Sequence, residues 1–525
     1  MKIILKISLG VVAFVLVIMA VITFVVNPLI RKKIQTAFNE NSVDYNLKIG
    51  NVHLSVFKSG IELENIIVQS VQVQNGLPDL TGMIASVKFK EINIWKIVFN
   101  NDFEVSEVTI SDSEIKGKIL LKKQTKTPKI STINIRIDNL FFNNLEVEIK
   151  DSSTANEYVL KDAFLKAYNL RVNKLDTFAI NIIGKIDFDV QEFNKISADS
   201  MYTYNAIGMS YSGNSQVLSV NHFTIHPNYP NYEFTSLFPF ETDRIEAEID
   251  TIHFYNFSIS ELLKTKNIMA TYVEIGKMDL NAFRDKRRPF RHVDKPSFQD
   301  MIYNYPGKID VDSIAFLSGN ISYTEHAEKA DEPRIIRFNE VYAMLYNITN
   351  DTIFKTEMAY MVLKTNALVM GKGRLEILLK AQIFDDNNTF SVDGSLSGMD
   401  AKELNPMLTN NAFINVSSGW IDDMKFSFTA NNAKAFGRMT FLYHGLDIAV
   451  VNKQTDDNKG VIAWFLSLFA NKIIMNSNPI PNEDVRRGII DYERDPEKFM
   501  INYCFKSMLS GIKSSLDKAP RKTNN

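Results

Sequence analysis

Cysteine is all but missing from this sequence: Cys504 is the only one in 525 residues. One thiol cannot close an intrachain disulfide, and it cannot assemble a cysteine zinc site or an iron–sulfur cluster. A charge excess of either sign is missing as well, because 59 basic and 61 acidic residues leave a formal net charge of -2. That balance gives no electrostatic footprint for nucleic acid, which is not an expected partner. The histidines, His53, His222, His226, His253, His292, His326 and His444, show no HExxH spacing. Pro227 and strand-like neighbours argue against a helix that would bring His222 and His226 together. Gly371-Lys372-Gly373 lacks the third glycine of a dinucleotide loop, and no nucleophile elbow is present. Asp385-Asp386 and Asp422-Asp423 read as solvated turns. No cofactor, metal or catalytic residue is expected, and the chain does not read as an enzyme.

Long apolar runs are scarce too, with one exception near the amino terminus. From Ile7 to Val26 the sequence is almost unbroken apolar over about 20 residues, the length a helix needs to cross the hydrocarbon core. Phe24-Val25-Val26-Asn27-Pro28 offers no small-residue cleavage site, so an uncleaved anchor is expected over residues 1–26. Lys2 and Lys6 on one flank compete with Arg31, Lys32 and Lys33 on the other, and charge alone leaves the orientation open.

A short amphipathic helix is expected over 27–44, where Ile30, Ile34 and Phe38 recur on one face. Two readings stay open for it. The helix could lie along a membrane interface, with Arg31, Lys32 and Lys33 meeting lipid phosphates, or it could cap the following sheet as ordinary core.

Residues 45–455 read as strands. Stretches such as Leu145-Glu146-Val147-Glu148-Ile149 alternate apolar and polar residues between Asn, Asp, Gly and Ser clusters. Convincing helices between strands are few, which argues for antiparallel β-structure over a βαβ fold. Isolated helices are expected near Ser258 to Ala270, Ser297 to Tyr303 and Ala401 to Leu408.

A weak repeat runs through this body. Ile135-Arg136-Ile137-Asp138-Asn139-Leu140-Phe141-Phe142, Ala247-Glu248-Ile249-Asp250-Thr251-Ile252-His253-Phe254 and Ile309-Asp310-Val311-Asp312-Ser313-Ile314-Ala315-Phe316 each place a polar pair between two alternating apolar pairs. In a regular pleat Ile137 and Leu140 would point to opposite faces. A β-bulge at each polar pair would restore one face and curl the sheet around it. Ile135, Ile137, Leu140, Phe142, Ile249, Ile252, Phe254, Val311, Ile314 and Phe316 would then line an apolar groove. Alternatively the polar pairs are hairpin turns of a closed sandwich.

In the segment 456–525, Val461 to Met475 forms an apolar stretch too short to span a bilayer. It reads as a core helix, or as an interfacial helix with Trp464 at the headgroup boundary. Asp495-Pro496 is expected to start a terminal helix on which Ile501, Phe505, Met508 and Ile512 form an apolar stripe. Arg284, Lys286, Arg287, Arg288 and Arg291 form the one basic cluster and read as an exposed loop, with contact to lipid headgroups as the alternative.

An anchor and a basic helix followed by Tyr45-Asn46-Leu47-Lys48-Ile49 and Gly60-Ile61-Glu62-Leu63-Glu64-Asn65-Ile66 resemble the opening of AsmA-like proteins. Gly419-Trp420-Ile421-Asp422-Asp423-Met424-Lys425-Phe426-Ser427-Phe428 and Ala435-Phe436-Gly437-Arg438-Met439-Thr440-Phe441-Leu442-Tyr443 resemble the paired strands that end members of this family, and Glu493-Arg494-Asp495-Pro496 and Leu509-Ser510-Gly511-Ile512-Lys513 resemble their tail. The resemblance implies a relative of TamB-like and other bridge-like lipid carriers, anchored in a bacterial inner membrane with its body in the periplasm. It implies a mainly β fold, an elongated, curved, taco-like groove with a few short helices, and phospholipid traffic in outer-membrane biogenesis. Membrane lipids would be the partner, with a further periplasmic or outer-membrane protein partner unidentified. An anchored scaffold that binds proteins along its sheet edges is the alternative.

Overall fold

The computed structural model describes residues 25–42, 45–55, 59–71, 79–92, 102–119, 134–172, 181–182, 185–328, 330–353, 359–406, 408, 414–450 and 474–517. The anchor expected over 1–26 lies outside the described residues except for its last two, as does the apolar stretch from Val461 to Ile473 with Trp464. Among the described residues no helix is long and apolar enough to cross a membrane. The fold is mainly β with a few short helices, and its residues form two compact units, Met1–Asn221 and His222–Asn525.

The first unit opens with helix α1 (Asn27–Asn41). It continues through β1 (Tyr45–Ser55), β2 (Gly60–Ser70), β3 (Asp79–Lys90), β4 (Asp102–Ile119), β5 (Asn134–Asp151), β6 (Glu157–Val172), β7 (Asn181–Ile182), β8 (Ile186–Ile196) and β9 (Tyr202–Ser212). β1 to β4 pair antiparallel in chain order, β4 and β5 pair parallel, and β5, β6, β8 and β9 continue antiparallel.

The division between the units falls within β10 (Val217–Pro227). The second unit then holds β11 (Asp243–Ile249), β12 (Ile252–Tyr255), β13 (Ile268–Asp285), β14 (Ile309–His326), β15 (Arg334–Thr349), β16 (Tyr360–Val369), β17 (Gly373–Gln382), β18 (Phe390–Asp400), β19 (Ile414–Ala430), β20 (Lys434–Val450) and β21 (Arg487–Glu493). β11 and β12 lie end to end along β13, β13 and β14 pair parallel, and β14 to β21 pair antiparallel in chain order. Its helices are α2 (Asn231–Ser236), α3 (Ile259–Thr265), α4 (Phe298–Tyr303) and α5 (Met500–Leu516). Ser258 caps α3, and Ser297 with Asp300 forms a capping box on α4, at two of the positions where the sequence signals a helix.

The two parallel pairs correct the expectation of antiparallel pairing throughout. A parallel pair needs a crossover, and residues 286–308, which include α4, supply one in the second unit. Each unit carries the same module: two parallel strands of 18 residues followed by an antiparallel strand of 16, as β4–β5–β6 and as β13–β14–β15. Two copies of the weak sequence repeat open the second strand of this module, β5 and β14, and the third runs across β11 and β12.

The polar pairs of the repeat are not bulges. Register runs unbroken past Asp138-Asn139 on both neighbouring strands, past Asp312-Ser313 on both, and past Asp250-Thr251 along β13. No strand carries an extra residue there. Left-handed residues in the next strand are level with them instead: Asn169 (φ 54°) beside Asp138 and Asn347 (φ 57°) beside Asp312. Asparagine tolerates this conformation because its short amide bonds locally. Asn139 Nδ2 donates to Ser106 O at 3.2 Å and Asn347 Nδ2 to Tyr360 O at 3.1 Å, so polar seams cross several strands at one level. A second seam in the first unit carries Asn65, Asp112, Asn144 and Asp162, all at positive φ, with Asn144 Nδ2 donating to Asp112 Oδ1 at 2.8 Å.

Helices cover the edge strand at the start of the first unit and at the end of the second. Along β1, Asn39 accepts from Leu47 N at 2.7 Å and donates to Leu47 O at 3.2 Å. Arg31 donates to Gly50 O at 2.7 Å, and Asn27 Oδ1 accepts from Leu54 N at 3.2 Å. Along β21, Ser514 Oγ accepts from Ile489 N at 3.0 Å and Ser510 Oγ from Asp491 N at 3.1 Å. Unpaired strand groups are therefore satisfied by side chains.

Burial sorts the residues of both helices. Ile30 and Ile34 pack against the core of β1 to β4, so the capping reading of α1 holds for them, while Arg31, Lys32, Lys33 and Phe38 are exposed. On α5 the buried stripe is Tyr503, Ser507, Gly511 and Ser515; Met508 and Ile512 are half-buried, but Ile501 is 76% exposed and Phe505 also faces outward. Close approach decides this: a Cβ on Gly488 of β21 would lie 2.4 Å from Gly511 O. Small residues, not the largest apolar ones, must face the sheet.

Candidate functional site

Directly paired residues on neighbouring strands project from the same face. In the first unit this aligns Val52, Leu63, Val87, Ile110, Phe142, Leu165, Phe188 and Tyr211 in one row across the strands. A second row, two residues along each strand, holds Leu54, Ile61, Phe89, Val108, Leu140, Ala167 and Ile186. Val105 and Ile137 belong to a third row beyond the polar seam, yet Val105, Val108, Ile137 and Leu140 all pack in one hydrophobic cluster. Ile135 pairs with Val172 farther along β5.

The second unit repeats the arrangement. Phe254, Val273, Ile314, Leu345, Leu363, Leu379, Val392 and Phe428 form one row. Ile252, Ile275, Phe316 and Ala343 form the row beside it. Val311 aligns with Ala270 and Ile348 across the seam. Ile249 pairs with Met278, which is level with Gly319, outside the two main rows. The structure thus brings Ile252 and Phe254 together with Ile314 and Phe316, and Leu140 together with Phe142.

Cover separates regions of these rows. Among the described residues, β5, β8, β9 and β14 make their main contacts with their ladder neighbours. The residues buried on these strands and on β6 include the small Ala163, Ala167, Val190, Ala206, Val311 and Ala315, with Tyr211 at the end of the row, while Phe142, Leu165, Phe188, Ile314 and Phe316 are half-buried. A small side chain is shaded by taller neighbours in its own sheet, whereas a large one needs a covering layer. From β16 onward the covering layer exists: α4 and α5 pack with the apolar face, and Phe390, Phe426, Phe428, Met439 and Tyr443 are buried.

The basic residues singled out in the sequence belong to a charged cluster at the far ends of β13 and β14, whose acidic and α5 members the sequence does not signal. Arg284 Nε donates to Asp243 Oδ1 at 2.6 Å. Lys286 Nζ lies 2.8 Å from Glu325 Oε2, which also accepts from Tyr323 OH at 3.0 Å. Glu241 Oε2 is 4.0 Å from Arg284 Nη1. Arg287 pairs with Asp285 at 2.8 Å, so the basic cluster that read as an exposed loop is largely held in ion pairs. Lys498, from the turn before α5, stands 3.2 Å from the centre of the Phe290 ring. Lys506 on α5 has Lys286, Glu325 and Lys498 as charged neighbours. Burial pushes the Glu241 carboxyl up and the Lys498 and Lys506 ammonium groups down. Burial likewise brings Lys513 down to about 8, with Lys506 adding to the effect.

Among the described residues no three His, Cys, Asp or Glu side chains are grouped to hold a metal ion. Several histidines are single partners of carboxylates: His53 lies 3.2 Å from Glu64 and His444 lies 2.9 Å from Asp422. Asp422 and Asp423 sit within β19 at a register shift, not in a turn. Comparison with protein-family models finds no match to this chain, and comparison with curated proteins finds none either.

Proposed function

We propose that this protein is a membrane-anchored carrier that holds the acyl chains of lipids along its apolar rows and carries out no covalent chemistry. In this reading the segment before Asn27 is the anchor, the body lies in a bacterial periplasm, and the sheet curves around the rows as an open groove. The resemblance to AsmA-like proteins agrees with it. One observation carries the proposal: large apolar side chains, including Phe142, Phe188, Ile314 and Phe316, are aligned in rows yet only half-buried. Half-covered apolar surface of this extent is stabilised by an apolar ligand.

The alternative scaffold would recruit partner proteins by adding strands to exposed edges. The outer edges of β1 and β21 are already bonded to α1 and α5, which weighs against that mode there. Mass spectrometry of lipids co-purifying with the full chain tests the proposal. Phospholipid retained through mild detergent is expected; a chain free of lipid after expression in a diderm bacterium contradicts it.

A further inference from the structure

The apolar rows of the second unit end at charge. Beyond Phe316 the face continues through Leu280, Ile321 and Phe338, then Ala282, Tyr323 and Ile336, and reaches Arg284 and Glu325 at the strand ends. Phe338 and Leu345 pack against the same core, which keeps this stretch on the side of the rows. An apolar track that terminates in a charged cluster has the polarity of an amphiphile.

One ammonium group of the cluster is not held in a direct ion pair. Asp243 is matched by Arg284, Glu325 by Lys286, and Glu241 has Lys498 among its charged neighbours. Lys506 remains, with no ion-pair partner among the described residues, although it is half-buried. An ammonium group withdrawn from water without a counter-ion is costly, and an incoming oxyanion removes that cost. A second observation points the same way. Glu325 is 7% exposed, and its Oε1, like Glu241 Oε2, has no hydrogen-bond partner. These oxygens are acceptors suited to an N–H or O–H donor.

We infer that this cluster is a headgroup site for a phosphodiester lipid, with the phosphate oxygens held by Lys506 and Lys498 and a donor group of the headgroup directed to Glu325 and Glu241. The inference rests on the carrier reading, since the acyl chains must lie on the rows leading to it. Phosphatidylethanolamine has the required chemistry; phosphatidylcholine lacks the donor, diacylglycerol lacks the phosphate, and inorganic phosphate lacks the chains.

The test uses the full chain in detergent, with retention of each of these four ligands measured by native mass spectrometry for the unaltered protein, Lys506→Gln and Lys498→Gln. Each substitution is expected to lower phosphatidylethanolamine retention about tenfold, the scale of one charge-assisted hydrogen bond, and to leave diacylglycerol unchanged. Lys506→Gln is also expected to keep or raise the unfolding temperature, because it removes a desolvated charge. Equal loss of both lipids, or an unchanged preference, overturns the headgroup site. A lower unfolding temperature with unaltered lipid retention makes Lys506 a structural ion and overturns it too. Retention of inorganic phosphate with no lipid assigns the site to free phosphate and overturns the lipid assignment. Failure of diacylglycerol to bind while phosphatidylethanolamine still depends on Lys506 contradicts the carrier reading and leaves the anion site standing.

Discussion

One row of the second unit passes from an open region to a closed one without changing its geometry. Phe254, Ile314, Leu345 and Leu363 are half-buried, whereas Leu379, Val392 and Phe428, farther along the same row, are 5%, 3% and 2% exposed. Strand pairing is the same on both sides of the change. The covering layer differs: α4, α5 and the 3₁₀ turn Ala401–Leu404 pack with β16 to β21. The first unit has its own version, with Ile30 and Ile34 of α1, along β1, packed against the buried cluster of β1 to β4 and half-buried Phe142, Leu165 and Phe188 beyond. The difference teaches that the largest apolar side chains of a row become core where helices and turns pack on them, and elsewhere remain half-exposed as a surface that a ligand can occupy.

The sharpest stability contrast lies within one face. Phe428→Ala should cost about 3–5 kcal/mol, because it removes a ring from a filled core and leaves a cavity. Phe316→Ala should cost about 1 kcal/mol, since a half-buried side chain over no second layer leaves none. Chemical denaturation of the detergent-purified chain, followed by circular dichroism, checks both. Equal costs would erase the distinction between the regions.

A smaller effect is expected at the covered edge. Asn39→Ala removes two hydrogen bonds to Leu47 and should cost about 1–2 kcal/mol. Hydrogen exchange should quicken at Leu47 and not at Phe188; unchanged protection at Leu47 would mean that α1 does not hold this edge.

The smallest effect is a pH slope confined to the closed region. Lys513 sits at about 8 in the folded chain against an ordinary 10.5, so between these values the unfolded chain binds more protons. Stability should therefore rise with pH from about 8 to about 9, above which the Cys504 thiol, pushed up to about 12 by burial, opposes the rise. Above that, Tyr323, Tyr443 and Tyr503, held above the usual tyrosine range by burial, should reverse the trend, because the unfolded chain loses those protons first. Unfolding temperatures between pH 7.5 and 9 should climb for the unaltered chain and flatten for Lys513→Met. A fall over this range would contradict the buried placement of Lys513.

Much of the architecture was legible from period alone. The alternation of Leu145 to Ile149 and the caps at Ser258 and Ser297 identify strands and helices, because pleat and capping are local. The parallel pairing of β4 with β5 was not legible, since nothing local to Val105 or Ile137 records which neighbour each meets. The polar pairs were noticed but misread: Asp138 and Asp312 lie in seams whose left-handed residues, Asn169 and Asn347, belong to the following strand. Leu140, Phe142, Ile314 and Phe316 could be picked out by their repeat, whereas the acidic and α5 members of the charged cluster could not. Glu241, Lys286, Glu325 and Lys506 are far apart in sequence and meet only through the fold.

The central claim is that the open rows hold lipid and the closed rows hold protein. The direct measurement is photocrosslinking in the native membrane from a benzophenone side chain placed at Phe316, with Phe428 on the same face as the internal control. Lipid adducts from position 316 and none from position 428 are the predicted result. Adducts at neither position, or protein adducts alone at 316, would contradict it.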